Sequence, residues 1–158
     1  MPPPNEMNVF QNWRNTPRAA SKRYRLFLTL FLTLFAIAPT NASMTWTEDT
    51  SVGASETWRG IPSSSDGTKL AAVVYNGNIW TSTDSGATWT SRATTKAWSS
   101  ITSSSDGTKL AAVVYNGNIW TSTDSGATWT SRATTKAWSS ITSSSDGTKL
   151  AAVVDGGK

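Results

Sequence analysis

Residues 63–114 recur without a change as residues 103–154, an identity of 52 residues at an offset of 40. Nothing else in the chain restricts the fold as strongly. A unit copied in tandem buries its apolar surface by stacking on its copies, and about 40 residues is the length of one four-stranded blade. The register runs beyond the perfect copy: Trp58, Trp98 and Trp138 share one position, and Ile61, Ile101 and Ile141 another.

Each unit reads as four short strands. In the second unit Trp98–Thr102 comes first, closed by Ser103–Thr108, whose Asp-Gly pair signals a turn. Leu110–Tyr115 follows. It is apolar at successive positions, the pattern of a strand covered on both faces, and its alanines let a neighbouring sheet come close. Asn116-Gly-Asn118 turns the chain into Ile119–Ser122. A second hairpin leads into Thr128–Ser131, and Arg132–Lys136 links to the next unit.

That second hairpin is Ser82-Thr-Asp84-Ser-Gly86-Ala-Thr-Trp89, repeated letter for letter as Ser122-Thr-Asp124-Ser-Gly126-Ala-Thr-Trp129. The Asp carboxylate can accept backbone N–H groups inside its own turn. Gly supplies a positive φ, and the Trp ring can fold back to shield the turn from water. The pattern Ser-x-Asp-x-Gly-x-x-Trp resembles the Asp-box (BNR) motif of sialidases, sortilin-type receptors and photosystem II stability/assembly-factor-like proteins. The resemblance implies an all-β chain of β-propeller-type blades, each of four antiparallel strands. It makes the box a structural hairpin between the last two strands of a blade, remote from any active site.

Counted from Ser43, the chain supplies a leading strand, two full blades and half of a third, so about two and a half blades. Closed propellers typically have four to eight. Three arrangements follow: a fragment of a longer propeller, a homo-oligomer whose copies complete a ring, or an unclosed stack. A worn box at Asn41-Ala-Ser-Met-Thr-Trp46, with Asn for Asp and Ser for Gly, leaves Trp46 to begin an outer strand.

The net charge of +4 comes from one end. Residues 1–42 hold five basic side chains against Glu6, which leaves nine basic and nine acidic residues from Ser43 onward. A nucleic-acid partner read from charge therefore falls away. Lys22-Arg-Tyr-Arg25, the apolar run Leu26–Ala38 and the small-residue site ending at Ala42 have the order of an export signal. Thirteen helical residues reach roughly 20 Å, short of the ~30 Å hydrocarbon core, so a cleaved signal is favoured over a stable membrane span. The expected division is a signal or targeting segment at 1–42 and a repeat domain at 43–158. The address is then secreted or otherwise exported, with lumenal or periplasmic delivery as variants. The sequon Asn41-Ala-Ser43 straddles the cut, which argues against its use.

The repeat domain is poor in aliphatics: Leu, Val and Ile make 15 of its 116 residues, while eight Trp remain. Each Trp can bury on the order of 150–250 Å², which offsets the shortage. Cys and His are both absent, so the chain has no disulfide framework, no Ser-His-Asp or Cys-His catalytic pair and no ordinary zinc site. No metal or cofactor is expected. Asp66, Asp106 and Asp146 sit in Asp-Gly turns without the acid spacing of a calcium loop.

Chemistry on the resemblance is sparse. Arg59-Gly-Ile-Pro62 is similar to the Arg-Ile-Pro motif of sialidases, in which the Arg grips the substrate carboxylate, but a Gly interrupts it. A sialidase also needs further arginines, a Tyr/Glu pair and an acid around a closed ring. The expected class is a non-catalytic binding or scaffolding module for a glycan or protein ligand. The alternatives are a fragment of a sialidase-like glycoside hydrolase and a photosystem II assembly-factor-like protein with a membrane-protein client. In a propeller the second–third turn and the blade linker emerge opposite the boxes. That face carries Tyr75, Asn76, Asn78, Arg92 and Lys96, repeated as Tyr115, Asn116, Asn118, Arg132 and Lys136. Aromatic, amide and cationic groups suit such ligands.

Overall fold

The computed structural model describes residues 11–13, 46–48 and 56–157. The basic and apolar run of the export-type segment at 22–38, its cut site, the sequon and the worn box lie outside the described residues, apart from the backbone of residue 46, and of the expected segment 1–42 only residues 11–13 are described. Two short strands, β1 (Gln11–Trp13) and β2 (Trp46–Glu48), pair antiparallel as a separate sheet. Trp46 thus stands in a strand whose described partner is β1 and not a blade. No helix among the described residues is long and apolar enough to cross a membrane.

The remaining ten strands form one antiparallel sheet that folds into successive blades. The first blade is β3 (Trp58–Gly60), β4 (Leu70–Gly77), β5 (Ile79–Ser82) and β6 (Thr90–Ser91). The second is β7 (Lys96–Ser103), β8 (Leu110–Gly117), β9 (Ile119–Ser122) and β10 (Thr130–Ser131). Strands β11 (Lys136–Ser143) and β12 (Leu150–Val154) make the inner half of a third. The four-strand expectation holds, with shifted boundaries. In the second blade the first strand starts two residues early, the second runs two residues longer, and the fourth begins only at Thr130 because Thr128 is taken up by the preceding turn.

The longer strands explain how blades join. The tail of each second strand pairs with the start of the next blade's first strand, Tyr75↔Ala97 and Gly77↔Lys96, then Tyr115↔Ala137 and Gly117↔Lys136. To reach that partner the chain leaves its own blade through Asn76 (φ 57°) and Asn116 (φ 53°), a left-handed conformation that Asn tolerates better than most residues.

Between blades, two unlike faces meet. Period-two alternation sends Ala71 and Val73 of β4 to one side and Ala72 to the other. Ala71, Val73 and Ile79 pack with Trp98, Leu110 and Ala112 of the second blade, and Trp120 and Trp129 flank the cluster. The next interface repeats it, with Ala111, Val113 and Ile119 against Ile141 and Trp138. Trp98 is fully buried, its ring 6.3 Å edge-on from Trp120 and 6.3 Å from Trp129. The small residues allow this approach of two sheets, and the indoles fill the space that the missing aliphatics leave.

First strands also touch directly. Ser99 Oγ donates to the Trp138 carbonyl (2.8 Å), Ser143 Oγ donates to the Ser103 carbonyl (3.0 Å), and the Thr102 and Ser143 hydroxyls are 3.0 Å apart. The Thr/Ser-rich edge of each unit is therefore a polar seam along the inner strands.

Candidate ligand-binding cleft

The two ends of the blades are chemically different. At one end lie the first–second and third–fourth turns. In the latter, Ser122 Oγ donates to Asp124 Oδ1 (2.7 Å) and accepts from Gly126 N (2.9 Å). Asp124 also accepts from Thr128 N (2.9 Å) and Thr128 Oγ1 (2.5 Å). The Ser82–Thr88 turn repeats these bonds through Asp84. Trp129 folds back so that its Nε1 donates to the Gly126 carbonyl at 3.0 Å. Ser125 and Gly126 both have positive φ (56° and 86°), and the Ser is held there by its N–H bond to the Thr108 carbonyl.

The first–second turns are built alike, which the Asp-Gly signal alone does not reveal. Ser64 Oγ donates to Asp66 and accepts from Lys69 N, and Thr68 gives the same carboxylate its N–H and hydroxyl. The Ser104 and Ser144 turns copy this. Successive turns are also laddered, Ser65 N to Ser105 O and Ser105 N to Ser145 O, both 2.7 Å.

These bonds hold the carboxylates well below their ordinary range. Asp84 and Asp124 are lowered to about 2, chiefly by the Thr88 and Thr128 hydroxyls, and Asp66 and Asp146 to about 2, chiefly by Ser64 and Ser144. Asp106 moves the same way, led by Ser104. A carboxylate that spends its lone pairs on its own turn is poorly suited to proton transfer near neutrality. A folded pKa below the unfolded value (about 3.9) gives stability that is complete above that value and is lost as pH falls through the folded one. We therefore expect the melting temperature to be level from neutral pH to about 5 and to drop between about 4 and 2. A scan in which it stayed level to pH 2 would remove these turns as the source of stability.

The opposite end holds the second–third turns and the linkers, and most of the expected ligand contacts there are already engaged. Asn78 Nδ2 donates to Ser91 Oγ (2.8 Å) and its Oδ1 accepts from Thr95 (3.1 Å). Asn118 does the same with Ser131 and Thr135. Arg92 and Arg132 donate through Nε to Thr81 and Thr121. Lys96 lies 4.9 Å over the Trp120 ring and Lys136 5.9 Å from that of Trp138. Asn76 and Asn116 are exposed and serve the left-handed bend.

Tyr75 and Tyr115 are different, because the fold brings them together. With Arg59, Trp138 and Asp155 they line an open cleft of about 370 Å³. Apart from Trp138, its wall is two repeat positions seen three times: Arg59, Ser99 and Ser139 are one, and Tyr75, Tyr115 and Asp155 the other. Arg59 stacks on Tyr75 with its Cζ 5.0 Å from the ring centre, and Tyr115 is 38% exposed. Of the five, sequence reasoning singled out the two tyrosines as ligand contacts and considered Arg59 only as a sialidase-type arginine. Asp155 and Trp138 were missed, although a signal existed for Asp155. Arg59 and Asp155 are the charged lining residues, and both stand where the repeat departs from its copies. No group of three or more acidic residues that could hold a metal ion occurs among the described residues.

No family model and no curated protein matches the chain. Solved structures do. YCF48 from Cyanidioschyzon merolae aligns with a TM-score of 0.50 at 18% identity, covering 61% of this chain and 37% of that one. YCF48 bound to D1 peptide gives 0.49 at 16% identity, over 61% and 40%. The GH74 enzyme of Niastella koreensis gives 0.46 at 28% identity, over 56% and 13%. The chain spans about two fifths of the length of the YCF48 structures it matches. At such identity the likeness to the Cyanidioschyzon structure concerns the fold alone. The chain is an all-β repeat protein of propeller-type blades, of which about two and a half are described.

Proposed function

We propose that this chain is an exported, non-catalytic module of Asp-box type that binds an extended peptide segment in the cleft between Arg59 and Asp155. The observation that carries this reading is the cleft's composition: two copied tyrosines and a tryptophan between a cation and an anion. Aromatic walls give contact area at low entropic cost, and opposite charges fix the direction of a bound chain. The engaged state of Arg92 and Arg132 supports a non-catalytic role, since Arg59 is the arginine that lines the cleft. A photosystem-type client is one form of this reading, and the likeness to YCF48 supports only its fold.

The test is selection of the full chain against a random-peptide display library and, in parallel, a glycan array. Enriched peptides with an acidic residue to meet Arg59 are expected. Tyr115→Ala should weaken the best of them about tenfold, because the ring is exposed and its loss leaves the core intact. Recovery of glycans alone would replace the peptide ligand with a carbohydrate. Turnover of a fluorogenic neuraminic-acid substrate by pure protein would overturn the non-catalytic assignment.

A further inference from the structure

The repeat supplies the cleft with an internal precedent for what it binds. Two of its wall positions form a pair within each blade, 59 with 75 in the first and 99 with 115 in the second. The backbone sets both pairs alike. Arg59 and Ser99 stand at the register shift of their first strands, next to the pairings Trp58↔Val74 and Trp98↔Val114. In the first blade the pair is complete: the Arg59 guanidinium stacks on Tyr75, which is half-buried. In the second blade Ser99 replaces the arginine, and its hydroxyl is spent on the Trp138 carbonyl at 2.8 Å. The lysines near this end are engaged on other rings, Lys96 on Trp120 and Lys136 on Trp138. No cation among the described residues stacks on Tyr115, which is correspondingly exposed. The third copy of the tyrosine position is Asp155. Its N–H bonds the Ala137 carbonyl as that of Tyr75 bonds the Thr57 carbonyl, and it lines the same cleft as Tyr115.

We propose that the Tyr115 face is an arginine subsite. A guanidinium of the bound peptide stacks there as Arg59 stacks on Tyr75, and Asp155 meets its charge. An aromatic face attracts a cation through its quadrupole, and a guanidinium, flat and weakly hydrated, suits that face better than a compact ammonium. The ligand then carries an acid for Arg59 and an arginine for Tyr115, which fixes its direction across the cleft. The subsite rests on the reading of the cleft as a peptide site. The uncovered ring, the short side chain at position 99 and the carboxylate at position 155 stand without that reading, so each can fail separately.

The chain has three tyrosines, Tyr24, Tyr75 and Tyr115, so fluorine NMR of the full chain labelled with fluorotyrosine reads the site directly. Tyr75→Phe and Tyr115→Phe assign the signals. Nα-acetylarginine amide is expected to shift the Tyr115 signal, and the neutral isostere Nα-acetylcitrulline amide to bind about tenfold more weakly. Ser99→Arg fills the subsite from within and should abolish the response of Tyr115. Arg59→Ser gives the first blade the pair of the second, and Tyr75 should then respond as well. Asp155→Asn should weaken the arginine probe about threefold and leave the citrulline probe unchanged. Equal binding of the two probes, or no shift at Tyr115 with either, overturns the subsite. Peptides selected on the cleft that lack a basic residue and still bind Ser99→Arg overturn it too, while leaving the peptide site in place. A Tyr115 response to the arginine probe with no peptide recovered keeps the subsite and removes the peptide reading.

Discussion

Replacing Trp98 with alanine is expected to cost about 3–5 kcal/mol, the range for removing a fully buried large aromatic side chain. Trp98 is completely enclosed, and its ring meets Trp120, Trp129 and the small-residue face of the first blade. Its loss opens a cavity between two sheets whose backbones are already tied by the Tyr75–Ala97 pairing, so the space cannot collapse freely. Domains of this size are stable by only about 5–15 kcal/mol, so the variant loses a large share of its stability and unfolds at a markedly lower temperature. Trp138 occupies the same repeat position but is half-buried, because the outer half of a third blade is not among the described strands. Trp138→Ala should therefore cost less than about 2 kcal/mol. Trp98→Phe separates packing from polarity. The Trp98 Nε1 has no hydrogen-bond partner among the described residues, so phenylalanine removes an unsatisfied donor together with some volume. Urea denaturation of the three variants decides it, and equal losses at positions 98 and 138 would mean that blade stacking does not set the stability.

That pair of tryptophans also marks what a sequence can and cannot disclose about such a chain. The apolar run Leu110–Tyr115 and the Asp-Gly and Ser-Gly turns were readable because each is local: alternation, a positive φ and a carboxylate within reach of its own turn. The fate of identical letters was not. Leu110 is 5% exposed and Leu150 44%, Val113 is fully buried and Val153 is 58% exposed, and nothing in the repeat distinguishes them. Their surroundings do: Val113 is covered by the following blade and Leu110 by the third–fourth turn of its own blade, and neither covering element has a counterpart over β12 among the described residues. The serine clamps at Ser64, Ser104 and Ser144 were hidden for another reason: in a Ser-Ser-Ser-Asp run, backbone geometry decides which hydroxyl reaches the carboxylate. The cleft was half-readable. Tyr75 and Tyr115 stood out as aromatic turn residues, but their meeting with Asp155 depends on positions 40 residues apart being placed side by side by the stack.

The seam between blades should be nearly as sensitive as the indole core. Gly117→Ala is expected to destabilise the protein by about 1–3 kcal/mol, the usual cost of overpacking. A Cβ at this position would stand 2.6 Å from Val114 Cγ1 and 2.8 Å from Val114 Cβ. Valine is branched at that atom and has little freedom to move aside. Val114 is itself buried, so relief must come from the backbone. The backbone there is the one that pairs Gly117 with Lys136 and starts the third blade, so shifting it pulls on the inter-blade ladder. Gly77 stands in the same relation to Val74, at 2.5 Å, and should respond alike. The diagnostic contrast is Gly156→Ala, just past β12 at the repeat position of Asn116, where a Cβ meets nothing within 4 Å. Its positive φ of 63° leaves only local backbone strain, so its cost should be the smaller of the two. Hydrogen exchange adds a spatial readout. Gly117→Ala should raise exchange first around Lys136 and Ala137, where β11 pairs with β8, before the β8–β9 ladder opens. Loss that instead spread evenly through the second blade would mean that the tail of β8 does not act as a seam, and that blades are held together by their faces alone.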